Sequence, residues 1–465
     1  MIKRLSARLR PADPAERDAG LSIIEVVVAL LVFAIITTGS IVAVGTVLSM
    51  TADNRSREIA ANLASQAVDT ARSVTDIADI ASSTTPVSLN GVDFTVKQSA
   101  SWITTTGLDS ACTPANASSN GSLLYKRLNV TVSWSGMRPS TQAVRSDTVI
   151  APGSKINDPE RGTILVTVNG ADGAGVAGVT VTIEPDSGTS TPGKTLDASS
   201  VPGLTNADGC AVATKVVPGS YKITLSRADG QEYRDPYQSA TPVKTGITVV
   251  KGDTTGQVFS FAPADDYSMN YVSGYSGTAL KPASLETTIK GSNGTYVATS
   301  PDDHQYLYPL SSGYQFIAGK YVPAGGSTAS CLSPDPSAWP KSADGKTGKA
   351  QPYVLTDSPV DVPMGVVTVK LASGQRFIKA TTTTAANGDP GCAATMTYTF
   401  TLSSAASQAT IALPYGTWRL QAASNSTSTL SNITLGSIVG SILGTLFPGT
   451  GSNANVVTLD PRTAP

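Results

Sequence analysis

From Val26 to Met50 the chain carries no charged residue, and the run is dominated by Val, Ile, Leu and Ala. Wound as a helix it would extend roughly 37 Å, enough to cross the hydrocarbon core of a bilayer. Basic residues precede it: Lys3, Arg4, Arg8, Arg10 and Arg17 outnumber Asp13, Glu16 and Asp18. The positive-inside rule leaves residues 1–20 in the cytoplasm and sends the rest outward. A secretory signal peptide fits badly, because the run is too long and no small-x-small cleavage site follows it. A transmembrane helix is the expectation.

Glu25 interrupts that pattern. A carboxylate just inside an apolar helix costs a few kcal/mol on insertion scales, so it needs a partner or an interfacial position. Its neighbours narrow the choice. Gly20-Leu21-Ser22-Ile23-Ile24-Glu25, followed by Val-Val-Val-Ala-Leu-Leu, resembles the type IV prepilin signal. That signal is a glycine, an apolar residue, a short hydrophobic stretch and a glutamate fifth after the glycine, behind a basic leader.

The resemblance implies cleavage after Gly20 by a prepilin peptidase and methylation of the new amine on Leu21. It implies that Glu25 serves assembly: in a filament core its buried carboxylate would pair with the N-terminal amine of a neighbouring subunit. The family most often has Phe where this chain has Leu21, and the 20-residue leader is long. Gly20 and Glu25 keep the expected spacing.

Beyond the membrane run, Ile59, Leu63, Ala67, Ala71, Val74, Ile77 and Ala81 recur at three- to four-residue spacing, the mark of an amphipathic helix. A single helix over 21–81 is expected, roughly 90 Å long. Gly39 and Gly45 are its weak points.

The rest reads as β structure. Val92-Asp-Phe-Thr-Val96 and Leu128-Asn-Val-Thr-Val-Ser-Trp134 alternate with period two, as half-buried strands do. A long helix followed by an antiparallel sheet (87–152) is similar to minor pilins, and a polar linker at 152–161 closes that unit. Residues 158–263 resemble a prealbumin-like sandwich of the carboxypeptidase-regulatory or collagen-adhesin B type. The matching residues are Gly162–Val168, Gly175–Ile183, Thr205-Asn-Ala-Asp-Gly209 and Pro218–Leu225. Some relatives of that type carry a Lys–Asn crosslink, but the first strand here has no lysine. Residues 264–362 read only as β-rich, with Tyr306–Ile317 and Gln351–Leu355 as candidate strands. Residues 363–465 repeat the sandwich grammar, Leu413-Pro-Tyr-Gly-Thr-Trp-Arg-Leu420 echoing Val217-Pro-Gly-Ser-Tyr-Lys-Ile-Thr224. The apolar stretch 433–447 is too short to span a membrane and reads as a buried strand pair or loop. The expected fold class is α+β and mostly β: a pilin-like unit (21–157), then β domains in series.

Charged residues make up 14% of the 465 and the net charge is −1, which removes any electrostatic case for nucleic-acid binding. The four cysteines, Cys112, Cys210, Cys331 and Cys392, are too scattered for a zinc site and read as disulfides in an oxidising compartment, with three connectivities open. A Cys331–Cys392 pair is the one expected. The only histidine, His304, lies beside Asp303 in a polar turn. No nucleophile elbow, phosphate loop or metal-binding helix motif occurs, so no enzyme and no cofactor are expected.

The resulting reading is a minor pilin or pseudopilin whose helix enters a filament and whose β domains serve adhesion or filament initiation. Its expected partners are a prepilin peptidase, other pilin subunits, the membrane and an unidentified surface ligand. It starts in the cytoplasmic membrane and ends in a cell-surface filament. The rivals are a membrane-retained surface binding protein and, less favoured, an enzyme on a pilin stalk.

Overall fold

The computed structural model describes residues 22–107, 109–110, 112, 121–138, 141–152, 158–273, 275–299, 303–325, 329–355, 359–433, 445–448 and 455–463. The chain is mostly β, with one long N-terminal helix and several sheets. It divides into two units. The first comprises 1–75, 82–100 and 127–150; the second comprises 76–81, 101–126 and 151–465.

In the first unit, helix α1 runs from Ile23 to Arg72 without a break. A sheet in the order β1 (Ser83–Leu89), β2 (Val92–Thr104), β3 (Leu123–Trp134) and β4 (Val144–Ile150) completes it. β1 and β2 form an antiparallel hairpin, Ser83 opposite Gln98, turned by Asn90 and Gly91, both at positive φ. Alternation then sets the core: Phe94, Val96, Leu128, Val130, Val132 and Trp134 all point inward and are buried. α1 packs on β4 through Ser56, Ala60, Ala64, Val68 and Ala71.

Two expectations about the helix are corrected here. Up to Ala67 the buried row lies one residue round from the predicted stripe: Ile59, Leu63 and Ala67 are only half-buried and Val74 is exposed, while Ala71 and Ile77 of that stripe are buried. Small alanines let the helix axis come close to the sheet, and the larger side chains flank the contact. The helix also stops at Arg72 rather than 81. Ser73-Val-Thr-Asp76 follows, with two β-branched residues that favour extended backbone, and the Asp76 carboxylate accepts from Ala78 N to start a short 3-10 turn at Ile77–Asp79.

In the second unit, residues 162–263 form a sandwich. One sheet is ordered β9 (Val243–Val249), β8 (Gly219–Ser226), β6 (Thr180–Pro185). The other is β10 (Thr254–Ser260), β5 (Gly162–Asn169), β7 (Cys210–Val216), with β5 and β10 parallel. Ile164, Val166, Val181, Ile183, Tyr221, Ile223, Leu225 and Phe259 meet between the sheets. Every residue from Gly162 to Val168 is buried, so β5 is covered on both faces.

Residues that the sequence reading divides at 362/363 share one core. It runs from Tyr267 and Met269 through Phe316, Val362 and Val366 to Trp418 and Leu459. Asp265–Asn270 pairs in parallel with Val360–Asp361, and Leu280 bridges Ile411. Local alternation marks strands but carries no record of which strands share a core. Strands His304–Leu307 and Gln315–Ala318 overlap the two ends of the predicted 306–317 segment, whereas 351–355 contributes a single bridge, Val354 to Tyr314. Of the apolar stretch 433–447, residues 434–444 lie outside the described residues. Thr445–Pro448 is a strand paired with Val456–Asp460.

The predicted echo is a shared local device. Gly219 and Gly416 both sit at positive φ, near 150° and 138°, and open strands. Two residues on, an aromatic donor folds back to the carbonyl two residues before the glycine: Tyr221 Oη to Val217 O (2.7 Å) and Trp418 Nε1 to Pro414 O (2.9 Å).

Candidate functional sites: the apolar helix and its junction

From Ile23 to Met50 the side chains of α1 are exposed, Ile23 at 85% and Phe33 at 67%. Most of its hydroxyls fold back onto the helix's own carbonyls. Thr38 donates to Ala34 O, Ser40 to Ile36 O, Thr46 to Val42 O and Thr51 to Val47 O, each at 2.8–2.9 Å. A helix whose hydroxyls largely bond its own carbonyls strands few hydrogen bonds on entering hydrocarbon. By length and composition it can cross a membrane. Among the described residues, the first side-chain hydrogen bond from α1 to the rest of its unit is at Ser49, which accepts from Arg138; Asp53 then accepts from Thr141 Oγ1 at 3.1 Å. The free arm, residues 23–48, is roughly 39 Å long. The helix runs unbroken through Gly39 and Gly45, whose Cβ positions face open space.

Gly20 and Leu21 lie outside the described residues. Glu25 is placed at the start of α1, where its Oε2 accepts from Ser22 N at 3.1 Å. This is one arm of a capping box, and it satisfies a donor that the helix start would otherwise leave open. The signal was legible as Ser-x-x-Glu at 22–25, and the sequence reading passed over it.

The reading also missed Lys126. In β3 the even positions 128, 130, 132 and 134 face inward, and Lys126 is in phase with them, which is the signal that could have found it. It is 1% exposed. Its Nζ donates to Ile80 O and to Ala78 O (3.0 Å), and it lies 4.9 Å from the centre of the Trp102 ring. Burial pushes the ammonium down to about 8, against the opposing pull of Asp208, Asp79 and Asp76. Ala78 O accepts a second bond, from Asn206 Nδ2 at 2.7 Å. Asn206 belongs to the turn that opens β7: its Oδ1 accepts from Asp208 N and Cys210 N, and its backbone N from this turn donates to Cys210 O. Cys210 is disulfide-bonded to Cys112, and Ser122 Oγ donates to Gly252 O at 2.6 Å. Ala78, Cys112 and Ser122 are thereby fastened to the sandwich.

Cys331 and Cys392 come together in the last body and carry the other disulfide. His304 Nδ1 lies 2.9 Å from Asp266 Oδ1 on an exposed strand. Among the described residues no group of three or more His, Cys, Asp or Glu side chains could hold a metal ion. An open recess of about 470 Å³ beside Cys392 is lined by Ser330, Thr382, Thr383, Thr384 and Thr395. It presents hydroxyls and no base to activate them.

No protein-family model matches the chain. No curated protein matches it either. Among solved structures it is similar to the Bacillus anthracis TIE protein, at 10% identity over 74% of this chain and a TM-score of 0.19; it covers 62% of that protein's length. It is also similar to a Streptococcal ancillary pilin, at 11% identity over 58% of this chain and 81% of that one, TM-score 0.19. For the shaft pilin SpaA of Lactobacillus rhamnosus GG the values are 13%, 44%, 97% and 0.16. At TM-scores this low, none of these likenesses assigns a fold or a residue role to this chain.

Proposed function

We propose that this chain is a type IV pilin-like subunit, a minor pilin or pseudopilin. A prepilin peptidase cuts it after Gly20, and it enters a filament through α1 with Glu25 facing the amine of a neighbouring subunit. Its β domains are displayed outside for adhesion or filament initiation. The observation that carries the reading is the free arm 23–48: apolar, with most of its hydroxyls bonded to its own carbonyls, and headed by Glu25 five residues after Gly20. An arm of that make-up suits a bilayer before assembly and the apolar core of a filament after it. The rival, a surface binding protein that stays in the membrane, shares the arm but needs no neighbour for Glu25.

Two measurements test this. Edman sequencing of the mature protein should begin at a methylated Leu21, and replacing Gly20 with a bulky residue should leave the precursor uncut. A mature chain beginning at Met1 would defeat the processing step. Shearing cells and collecting filaments should recover the protein with them; recovery only in the membrane fraction favours the rival.

A further inference from the structure

The fastenings around Ala78 lie where the chain leaves α1. Only a few residues separate Arg72, the end of the helix, from Ala78 and Ile80, whose carbonyls are held by Lys126 and Asn206. Asn206 and Cys210 share one turn, and Cys210 is covalently joined to Cys112, 98 positions away. Apart from Arg72, which ends the helix of the first unit, all of these residues belong to the second unit.

We propose that this knot is a two-stage tension coupler between the anchoring helix and the sandwich. The first stage is the set of hydrogen bonds. Tension leaving α1 meets Ala78 and Ile80 and passes through Asn206 into the β7 turn and through Lys126 into β3. The second stage is covalent. If the hydrogen bonds give way, the chain between Ile80 and Cys112 pays out, and the disulfide then stops it. That segment of about 30 residues yields at most roughly 110 Å of extension. Once the disulfide carries the load, everything from 113 to 209, including β3, β4, β5 and β6, is bridged by the S–S bond and takes no tension along its backbone.

The arrangement is chemically economical. Lys126 is buried over Trp102, so water competes poorly for its two carbonyl partners. Asn206 is positioned by two backbone donors, Asp208 N and Cys210 N, so its amide is aimed at Ala78 before any load arrives. In the organism the coupler matters if the chain is anchored by α1 and held at its far end, so its biological role rests on the filament reading. Its mechanics do not.

The test is single-molecule force spectroscopy on the full chain in a nanodisc, pulled between α1 and the C-terminal residue under oxidising conditions. Peptide mapping without reductant should first recover Cys112 joined to Cys210; two free thiols would overturn the proposal. The native chain should show a short event of about 110 Å that terminates abruptly. The Cys112→Ser/Cys210→Ser variant should continue from that event through about 350 Å more, the length of 98 extended residues. Asn206→Ala with the disulfide kept should lower the force of the short event and leave its length unchanged. A native trace in which the longer release appears, or an Asn206→Ala trace with an unaltered first force, rejects the coupler. Neither result depends on whether filaments are found, so failure here and failure of the filament reading are separable.

Discussion

Glu25 has two jobs open to it, and they make different demands on the side chain. As a cap it needs only an acceptor oxygen for Ser22 N; as a partner for an amine it needs charge. Glu25→Gln keeps the acceptor and removes the charge, whereas Glu25→Ala removes both. The proposed assembly role predicts that both variants insert and are cleaved, and that both are depleted from sheared filaments on immunoblots. Normal incorporation of the glutamine variant would leave capping as the only role. Lys126 supports a prediction of a different kind. Its pKa is lowered on folding, from 10.5 to about 8, so between those values the folded chain binds fewer protons than the unfolded one. Stability therefore rises as pH climbs through that window. Above about pH 10 the trend is opposed by Tyr314, Tyr398 and Tyr415, whose hydroxyls burial pushes up. Thermal midpoints from pH 7.5 to 9.5 should rise in the wild type relative to Lys126→Met, and parallel curves would show that Lys126 is not the source.

At the level of elements, the structure separates propensity from packing. The alanine row of α1 makes the close contact, while the longer Ile59 and Leu63, which dominate the sequence pattern, line its flank. The Gly-hydroxyl-aromatic device at 219–221 and 416–418 was readable as an echo because every atom it uses is local. The Cys331–Cys392 disulfide is not local: it closes a loop of 61 positions. Removing it as Cys331→Ser/Cys392→Ser should release unfolded-state entropy worth about 4 kcal/mol. The denaturation midpoint of the variant should fall accordingly, and a midpoint equal to that of wild type would show that the bond does not constrain the unfolded chain.

For the whole molecule the question is where so large a subunit can sit. Cleavage after Gly20 would leave 445 residues (465 − 20), about two-thirds of them beyond residue 152. The sandwich alone has a radius of gyration of roughly 13 Å and the single-core body of about 200 residues roughly 16 Å. Repeated on every subunit, bodies of that size would crowd a helical array of pilin heads. A cap position removes the crowding and presents the β domains first to a surface. Immunogold labelling against residues 363–433 should therefore mark filament ends; dense labelling along the shaft would place the protein in the array instead.

What the sequence determined by itself is whatever depends on near neighbours. The charge-free run at 26–50 dictates an apolar helix, alternation marks the strand cores at 92–96 and 128–134, and glycine at positive φ dictates the turns beside them. The tertiary structure alone decided which strands share a core, where α1 stops and what holds its end. The last of these shows the reason. Lys126, Asn206 and Cys112 are bound to Ala78 or to the β7 turn across separations of 48, 128 and 98 positions. Over such distances, local periodicity carries no information; only the folded chain brings the partners within reach.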